Sequence, residues 1–215
     1  MTRVIGLLGG TFDPIHHGHL RLALECAASA GFTETRLIPA HLPPLRSAPV
    51  ASAAQRLRMA ELATAGEHTL RADPIEVARA GTSYTVDTLL ALRSGTVTDS
   101  LCLVLGQDAF LKLRGWRRWE HILELAHLVI AARPGAGAAD MDPVLRQLQD
   151  RHGVTDAVAL QRRAAGCILS ITIPALDISA TRIRQSIAAG RSVRFLTPEP
   201  VIRFIQQEAL YRNPT

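Results

Sequence analysis

Gly9-Gly10-Thr11-Phe12-Asp13-Pro14-Ile15-His16-His17-Gly18-His19 is the stretch that decides how this chain is read. It follows an apolar run at residues 4–8. Beyond Gly18 the spacing becomes helical, with Leu20, Leu24 and Ala27 at i, i+4 and i+7 and Gly31 placed as a stop. A buried strand handed to a helix through a glycine pair is the opening unit of an α/β fold. The first N–H groups of such a helix, with its dipole, favour an anion. Gly9 and Gly10 let main chain approach a ligand with no Cβ in the way. His16 and His19 project to one side of the first turn, where imidazoles can donate to phosphate oxygens. A plain glycine turn with helix-capping histidines would need only part of this string. No cysteine or second histidine pair stands at zinc-like spacing, so a structural zinc site is not expected.

Working outward, residues 36–38 read as a second strand, 41–46 as a loop and 55–65 as a helix. Residues 68–77 read as a strand interrupted by Pro74, and Thr82 or Ser83 as the cap of a helix running to Leu92. The run 101–105 is apolar throughout, as a central strand covered on both faces would be. A helix over 119–126, a strand over 128–132, a Gly/Ala-rich loop over 134–139, a helix over 144–151 and a strand over 167–173 follow. Ser179 caps a helix ended by Gly190, and residues 198–210 form a last helix with proline in its first turn. The alternation predicts an α/β fold: a doubly wound, mostly parallel sheet with helices on both faces. Residues 1–215 read as one domain, with the helix after Ser179 and the final helices as a small appendage.

The chain has 215 residues, 47% hydrophobic and 20% charged, which fits a globular protein and argues against disorder. No apolar run approaches the roughly 20 residues of a membrane helix, and residues 4–8 are too short for a signal peptide. Cys26, Cys102 and Cys167 form no CxxC pair and read as buried thiols in a reducing cytoplasm. Of the 24 cationic residues only Lys112 is lysine, and the formal net charge is +5. Arginine forks match phosphates, so phosphate or nucleic-acid handling competes with a simple codon-composition effect.

A second segment, Ile178-Ser179-Ala180-Thr181-Arg182-Ile183-Arg184, places a serine at a helix start with Thr181 and Arg184 in reach of the same N-terminus. Those groups can surround phosphate. The two segments together resemble the (T/S)FDPxHxGH and ISxTxIR signatures of the nucleotidyltransferase superfamily. Within it, Pro43-Pro44 with Arg46, Thr82-Ser83-Tyr84-Thr85, Gly106-Gln107-Asp108, Trp116, Ala132-Arg133-Pro134-Gly135 and the tail Leu196-Thr197-Pro198-Glu199-Pro200-Val201 are similar to bacterial nicotinate mononucleotide adenylyltransferases. The resemblance covers nearly the whole chain. It departs at Leu45, where the family carries histidine or another polar residue; Arg46 remains.

The resemblance implies a Rossmann-like fold and a set of roles. Gly9, Gly10, Thr11 and Phe12 would line the adenylate site. His16 and His19 would meet the triphosphate, with Ser179, Thr181 and Arg184 on its opposite wall. Gly106 and Asp108 would serve ATP, Asp108 also bonding ribose between the nucleotides. Thr85, Trp116, Arg117, Arg133 and Arg46 would bind the mononucleotide, Trp116 by stacking on the pyridine and main-chain N–H groups near Thr85 and Arg117 by meeting its carboxylate. His16, His19 and Arg184 would be catalytic, Mg²⁺ would accompany ATP, and no metal would need a dedicated protein cage. The implied reaction joins ATP and nicotinate mononucleotide into deamido-NAD and pyrophosphate, in the cytoplasm, with no nucleic-acid or membrane partner. Nicotinamide mononucleotide and phosphopantetheine are alternative acceptors. A nucleic-acid module could use the Arg-rich, tryptophan-bearing stretch at 114–119, but gives no reason for two phosphate motifs at opposite ends. Asp108 could also cap a helix after Gly106, and His41, His68, His121, His127 and His152 read as surface or satisfied core residues.

Overall fold

The computed structural model describes residues 3–44, 48–95, 98–133, 141–174 and 176–212. The loop expected over 134–139 and the Leu45–Arg46 positions lie outside them. The strands are β1 Val4–Gly10, β2 Glu34–Pro39, β3 Leu70–Ala72, β4 Ser100–Gly106, β5 His127–Ala132, β6 Gly153–Val154 and β7 Ile168–Thr172, in the order β3-β2-β1-β4-β5-β7-β6. The pairings β1–β4, β4–β5, β5–β7 and β6–β7 are parallel, with Val4 opposite Ser100, Leu103 opposite Leu128 and Leu128 opposite Ile168. This is a Rossmann-like α/β sheet, its order turning back between β1 and β4. The helices are α1 His17–Ala30, α2 Ala53–Thr64, α3 Ile75–Arg79, α4 Thr85–Gly95, α5 Gln107–Phe110, α6 Ile122–Leu125, α7 Pro143–His152, α8 Val158–Gln161, α9 Ala180–Ala188 and α10 Glu199–Gln207. No helix among the described residues is long and apolar enough to cross a membrane.

The chain divides into two compact units. The first draws on Met1–Leu8, Leu22–Arg36 and Tyr84–Pro174. Its centre is β4, buried from Ser100 to Leu105, beside β5, buried from His127 to Ala131. Burial on both faces is why these strands read as unbroken apolar runs. His127 is 0% exposed, accepts from Cys167 N–H (2.9 Å) and pairs its Nε2 with Arg163 O (3.0 Å). It is a satisfied core histidine, and burial lowers its pKa. Arg93 reaches the main-chain carbonyls of Leu125, Asp99 and Ala164. All three cysteines are buried free thiols.

The second unit draws on Gly9–Arg21, Leu37–Ser83 and Ala175–Thr215. There Ser52 forms a capping box with Gln55 at the start of α2. Ile183, Val193 and Ile202 make a small core with Ile178, Ile187 and Leu196 against it.

Several local expectations change. β1 continues through Gly9 and Gly10 instead of turning there. The inward face of α1 is Ala23, Cys26 and Ala30, and Leu24 is exposed; small residues let this helix pack closely. The segment 68–77 is strand only at Leu70–Ala72, because Pro74 opens α3 and Asp73 accepts from Ile75 N–H (3.0 Å). Neither Thr82 nor Ser83 caps α4: the Ser83 hydroxyl accepts from His41 N–H (2.8 Å), and Thr82 bridges to Leu42. Residues 119–121 form a 3₁₀ turn ahead of the short α6.

Gly6 sits where an added Cβ would fall 2.4 Å from the Phe32 ring. Gly6→Ala should therefore destabilise the protein by about 1–3 kcal/mol, and Phe32→Leu in the same chain should recover part of that loss. Urea unfolding of the two single variants and the double variant checks it; additive losses would show that the ring is not the obstacle.

Candidate active site

The second unit gathers both phosphate-type segments. At the end of β1, Phe12 adopts φ +51, outside the usual range for a non-glycine residue. That turn lays its ring on Gly10, where a Cβ would stand 2.7 Å from Phe12 Cε1. So Gly10 is required by its own neighbour, while at Gly9 the space is open. The Phe12 ring meets His19 edge-on at 5.0 Å. His19 in turn stacks on His16 with ring centroids 3.7 Å apart and planes 21° from parallel. His16 N–H donates to His19 Nδ1 (3.3 Å). An accepting Nδ1 puts the proton of neutral His19 on Nε2.

His16 is 5% exposed, and its Nδ1 is buried without a hydrogen-bond partner. A Cβ on Gly18 would lie 3.0 Å from that nitrogen, so any larger residue there would press on the ring. Burial first, and the neighbouring His17 second, lower the His16 pKa from its ordinary 6.5 to about 4. At neutral pH His16 therefore carries no imidazolium charge. Orphaned buried polar atoms are uncommon; among the described residues the other is Thr35 Oγ1 in β2.

Further bonds fix this turn. Arg56 on α2 is 1% exposed and donates to the carbonyls of Thr11 (2.8 Å), Ala40, His41 (2.9 Å) and Ala51 (3.1 Å). Asp13 points inward, accepting from Val50 N–H (2.8 Å), Ala51 N–H (3.1 Å) and the Tyr211 hydroxyl (2.7 Å). The buried Thr197 hydroxyl donates to Ile15 O (2.7 Å), and His17 N–H at the start of α1 donates to Leu196 O (3.0 Å). Arg184 on α9 donates through Nη1 to Asp13 O (2.7 Å) and through Nη2 to Thr181 Oγ1 (3.3 Å). Two of its nitrogens are held, and the remaining donors of the fork are left for a ligand. Ser179 occupies the N-cap position of α9 but makes no side-chain cap bond, contrary to the capping expected of it.

Of the residues singled out in the sequence, Gly9, Gly10, Thr11, Phe12, His16, His19, Ser179, Thr181 and Arg184 belong to this unit. Thr85, Gly106, Asp108, Trp116, Arg117 and Arg133 belong to the first. There Gly106 ends β4 and stands at the N-cap of α5, and Asp108 is exposed in that helix's first turn, not at its cap. Thr85 opens α4. Trp116 is half-buried after a 3₁₀ turn, and Arg133 is exposed just past β5. The Arg117 guanidinium stands 4.6 Å over the Tyr84 ring, a cation–π contact that the sequence does not announce. Arg46 lies outside the described residues. Sequence reasoning missed Arg56 and Tyr211. The signal for Arg56 is a charge on the inward stripe of α2, in register with Met59 and Ala60.

The Cytidylyltransferase-like family matches residues 7–186 of the chain. A probable nicotinate-nucleotide adenylyltransferase of Acidithiobacillus ferrooxidans is 46% identical over 208 residues, 97% of this chain and 95% of that protein. One from Pseudomonas fluorescens is 46% identical over 215 residues, all of both chains. A Plasmodium falciparum nicotinic acid mononucleotide adenylyltransferase, solved with NaAD, shares the fold at TM-score 0.72 and 17% identity, covering 97% of each chain. With the Rossmann-like sheet, the family match and these near full-length relatives make the chain a nucleotidyltransferase. Within that class, the chain belongs to the nicotinate-nucleotide adenylyltransferase family.

The neutrality of His16 has a consequence for stability. Its folded pKa lies below the unfolded value, so the unfolded chain takes up the proton first as pH falls. The full stability above pH 6.5 is lost progressively toward pH 4, by about 3 kcal/mol at most. His16→Phe should flatten this part of the unfolding free energy against pH. Parallel profiles for the two proteins would mean that His16 is not held neutral.

Proposed function

We propose that this chain transfers the adenylyl group of ATP to nicotinate mononucleotide, giving deamido-NAD and pyrophosphate, a step in NAD biosynthesis. The observation that carries the reading is the stacked His16–His19 pair on the same turn that Arg184 grips. The attacking group is a phosphate oxygen that is already an anion, so no general base is required and no covalent enzyme intermediate forms. Acceleration comes from aligning that oxygen in line with the α-phosphorus and from stabilising the charge that moves onto the leaving pyrophosphate.

In this reading His19 donates Nε2–H to the triphosphate, and His16 stacks behind it as a second neutral donor. Arg184, Thr181, Ser179 and the N–H groups opening α9 bind the same oxygens. Gly9, Gly10, Thr11 and Phe12 accommodate the adenylate, with open space at Gly9. Gly106 and Asp108 take ATP and ribose, and Thr85, Trp116, Arg117, Arg133 and Arg46 take the mononucleotide. Among the described residues no group of three or more His, Cys, Asp or Glu side chains converges to hold a metal ion. Mg²⁺ would enter as part of the substrate, coordinated mainly by the triphosphate, and would neutralise charge on the leaving oxygens. The enzyme would work in a reducing cytoplasm, which suits three free buried thiols.

His19→Ala should lower kcat by about 10²–10³-fold, the usual effect of removing one donor to a developing oxyanion, while the melting temperature stays near that of the parent. Near-parental turnover would remove His19 from the mechanism. Pyrophosphate release measured in parallel with nicotinate mononucleotide, nicotinamide mononucleotide and phosphopantetheine should favour the first.

A further inference from the structure

Asp13 sits midway along a chain of contacts that begins beyond the last helix and ends on Arg184. Its Oδ1 accepts from the Tyr211 hydroxyl and Ala51 N–H, and its Oδ2 from Val50 N–H. Oδ2 lies 3.9 Å from Arg184 Nη1, while the main-chain carbonyl of Asp13 accepts from that same nitrogen at 2.7 Å. Both Asp13 and Tyr211 are buried. The segment leading to Tyr211 is strained: Ala209 has φ +51 and Tyr211 φ +62, both left-handed and neither glycine. Such backbone persists only where surrounding contacts over-determine it. The contacts are on hand, with Leu210 N–H bonded to Ile205 O (3.0 Å) and Glu208 bonded to Gln55 of α2 (3.2 Å). Burial and the bond to Asp13 raise the Tyr211 pKa far above its ordinary value, so the phenol stays a donor.

We infer that Tyr211 and Asp13 are positioning residues for the ATP triphosphate, acting through Arg184. The inference rests on the assignment of Arg184 to that triphosphate. An arginine side chain gives up considerable rotamer freedom when a ligand fixes it, so holding it beforehand raises affinity. Here Asp13 O and Thr181 Oγ1 hold the guanidinium in advance. The Tyr211 hydroxyl keeps the carboxylate turned inward, toward the 50–51 amides. Without it, the carboxylate is free to tighten its loose 3.9 Å ion pair with Arg184, in competition with phosphate.

The test is Tyr211→Phe, which removes one oxygen and preserves the ring. The expected result is a rise of about tenfold in KM for ATP, the size of one lost hydrogen bond to a charged group, with KM for nicotinate mononucleotide and kcat little changed. Asp13→Asn examines the next link and should raise the same KM. In Arg184→Ala the Tyr211→Phe change should add nothing. A lower melting temperature with an unmoved KM for ATP, or multiplicative effects in the double variant, would overturn the inference and reduce Tyr211 to a packing residue. Arg184→Ala with a parental KM for ATP would instead overturn the assignment underneath, and the two failures are read from different variants.

Discussion

The turn that carries the histidines is held by one buried cation. Arg56 donates to four main-chain carbonyls, one before Phe12, two after β2 and one just ahead of α2. Few side chains could do this: guanidinium carries five donors in a rigid fork, whereas lysine carries three on a single nitrogen. Each of those carbonyls, left unpaired in the interior, would be penalised by about 1–3 kcal/mol. Burial lowers the Arg56 pKa, and Asp13 and Tyr211 oppose that effect. The guanidinium thus substitutes for secondary structure where three irregular segments meet, and the distorted backbone of Phe12 is affordable because Thr11 O is tied to it.

From that anchor the rest of the site follows by contact. Phe12 covers Gly10 and abuts His19; His19 stacks on His16; His16 is neutral because it is covered. Neutrality suits a site for triphosphate transfer. A fixed charge at His16 would bind substrate and leaving group alike, whereas oriented N–H donors respond to where charge accumulates. Arg184, whose place is set by the carbonyl of Asp13, carries a permanent positive charge beside this turn.

Much of this could be read from residue order. The apolar run 101–105 and the strand–glycine–helix opening gave the α/β fold, because parallel strands covered on both faces cannot disguise themselves as anything amphipathic. The two motif segments stand out because their residue types are rare in combination, and the structure bonds one to the other through Arg184. What escaped depends on long-range pairing: the Tyr211–Asp13 bond spans 198 positions and the Thr197–Ile15 bond 182. Local propensity also misplaced the caps. Ser83 looks like a helix cap beside Thr85, yet its hydroxyl is taken by His41 N–H from a different segment. The apolar spacing of α1 pointed to Leu20, Leu24 and Ala27, but the close-packed face is built from Ala23, Cys26 and Ala30, since volume and not hydrophobicity limits that contact.

The arginine excess divides along the same line. Arg56 and Arg93 are spent largely on main-chain carbonyls. Arg117 lies on Tyr84, and Arg114 pairs with Asp142. Arg184 alone among these is tied to the histidine turn with part of its fork unspent. Net charge is therefore a poor guide to which arginines meet phosphate. Arg56 commits four of its five donors to carbonyls; Arg184, held by two bonds at its tip, is oriented with more of its fork to spare. That distinction, between an arginine used up by the fold and one merely aimed by it, separates Arg56 from Arg184 although both lie within one bond of the same eleven-residue stretch.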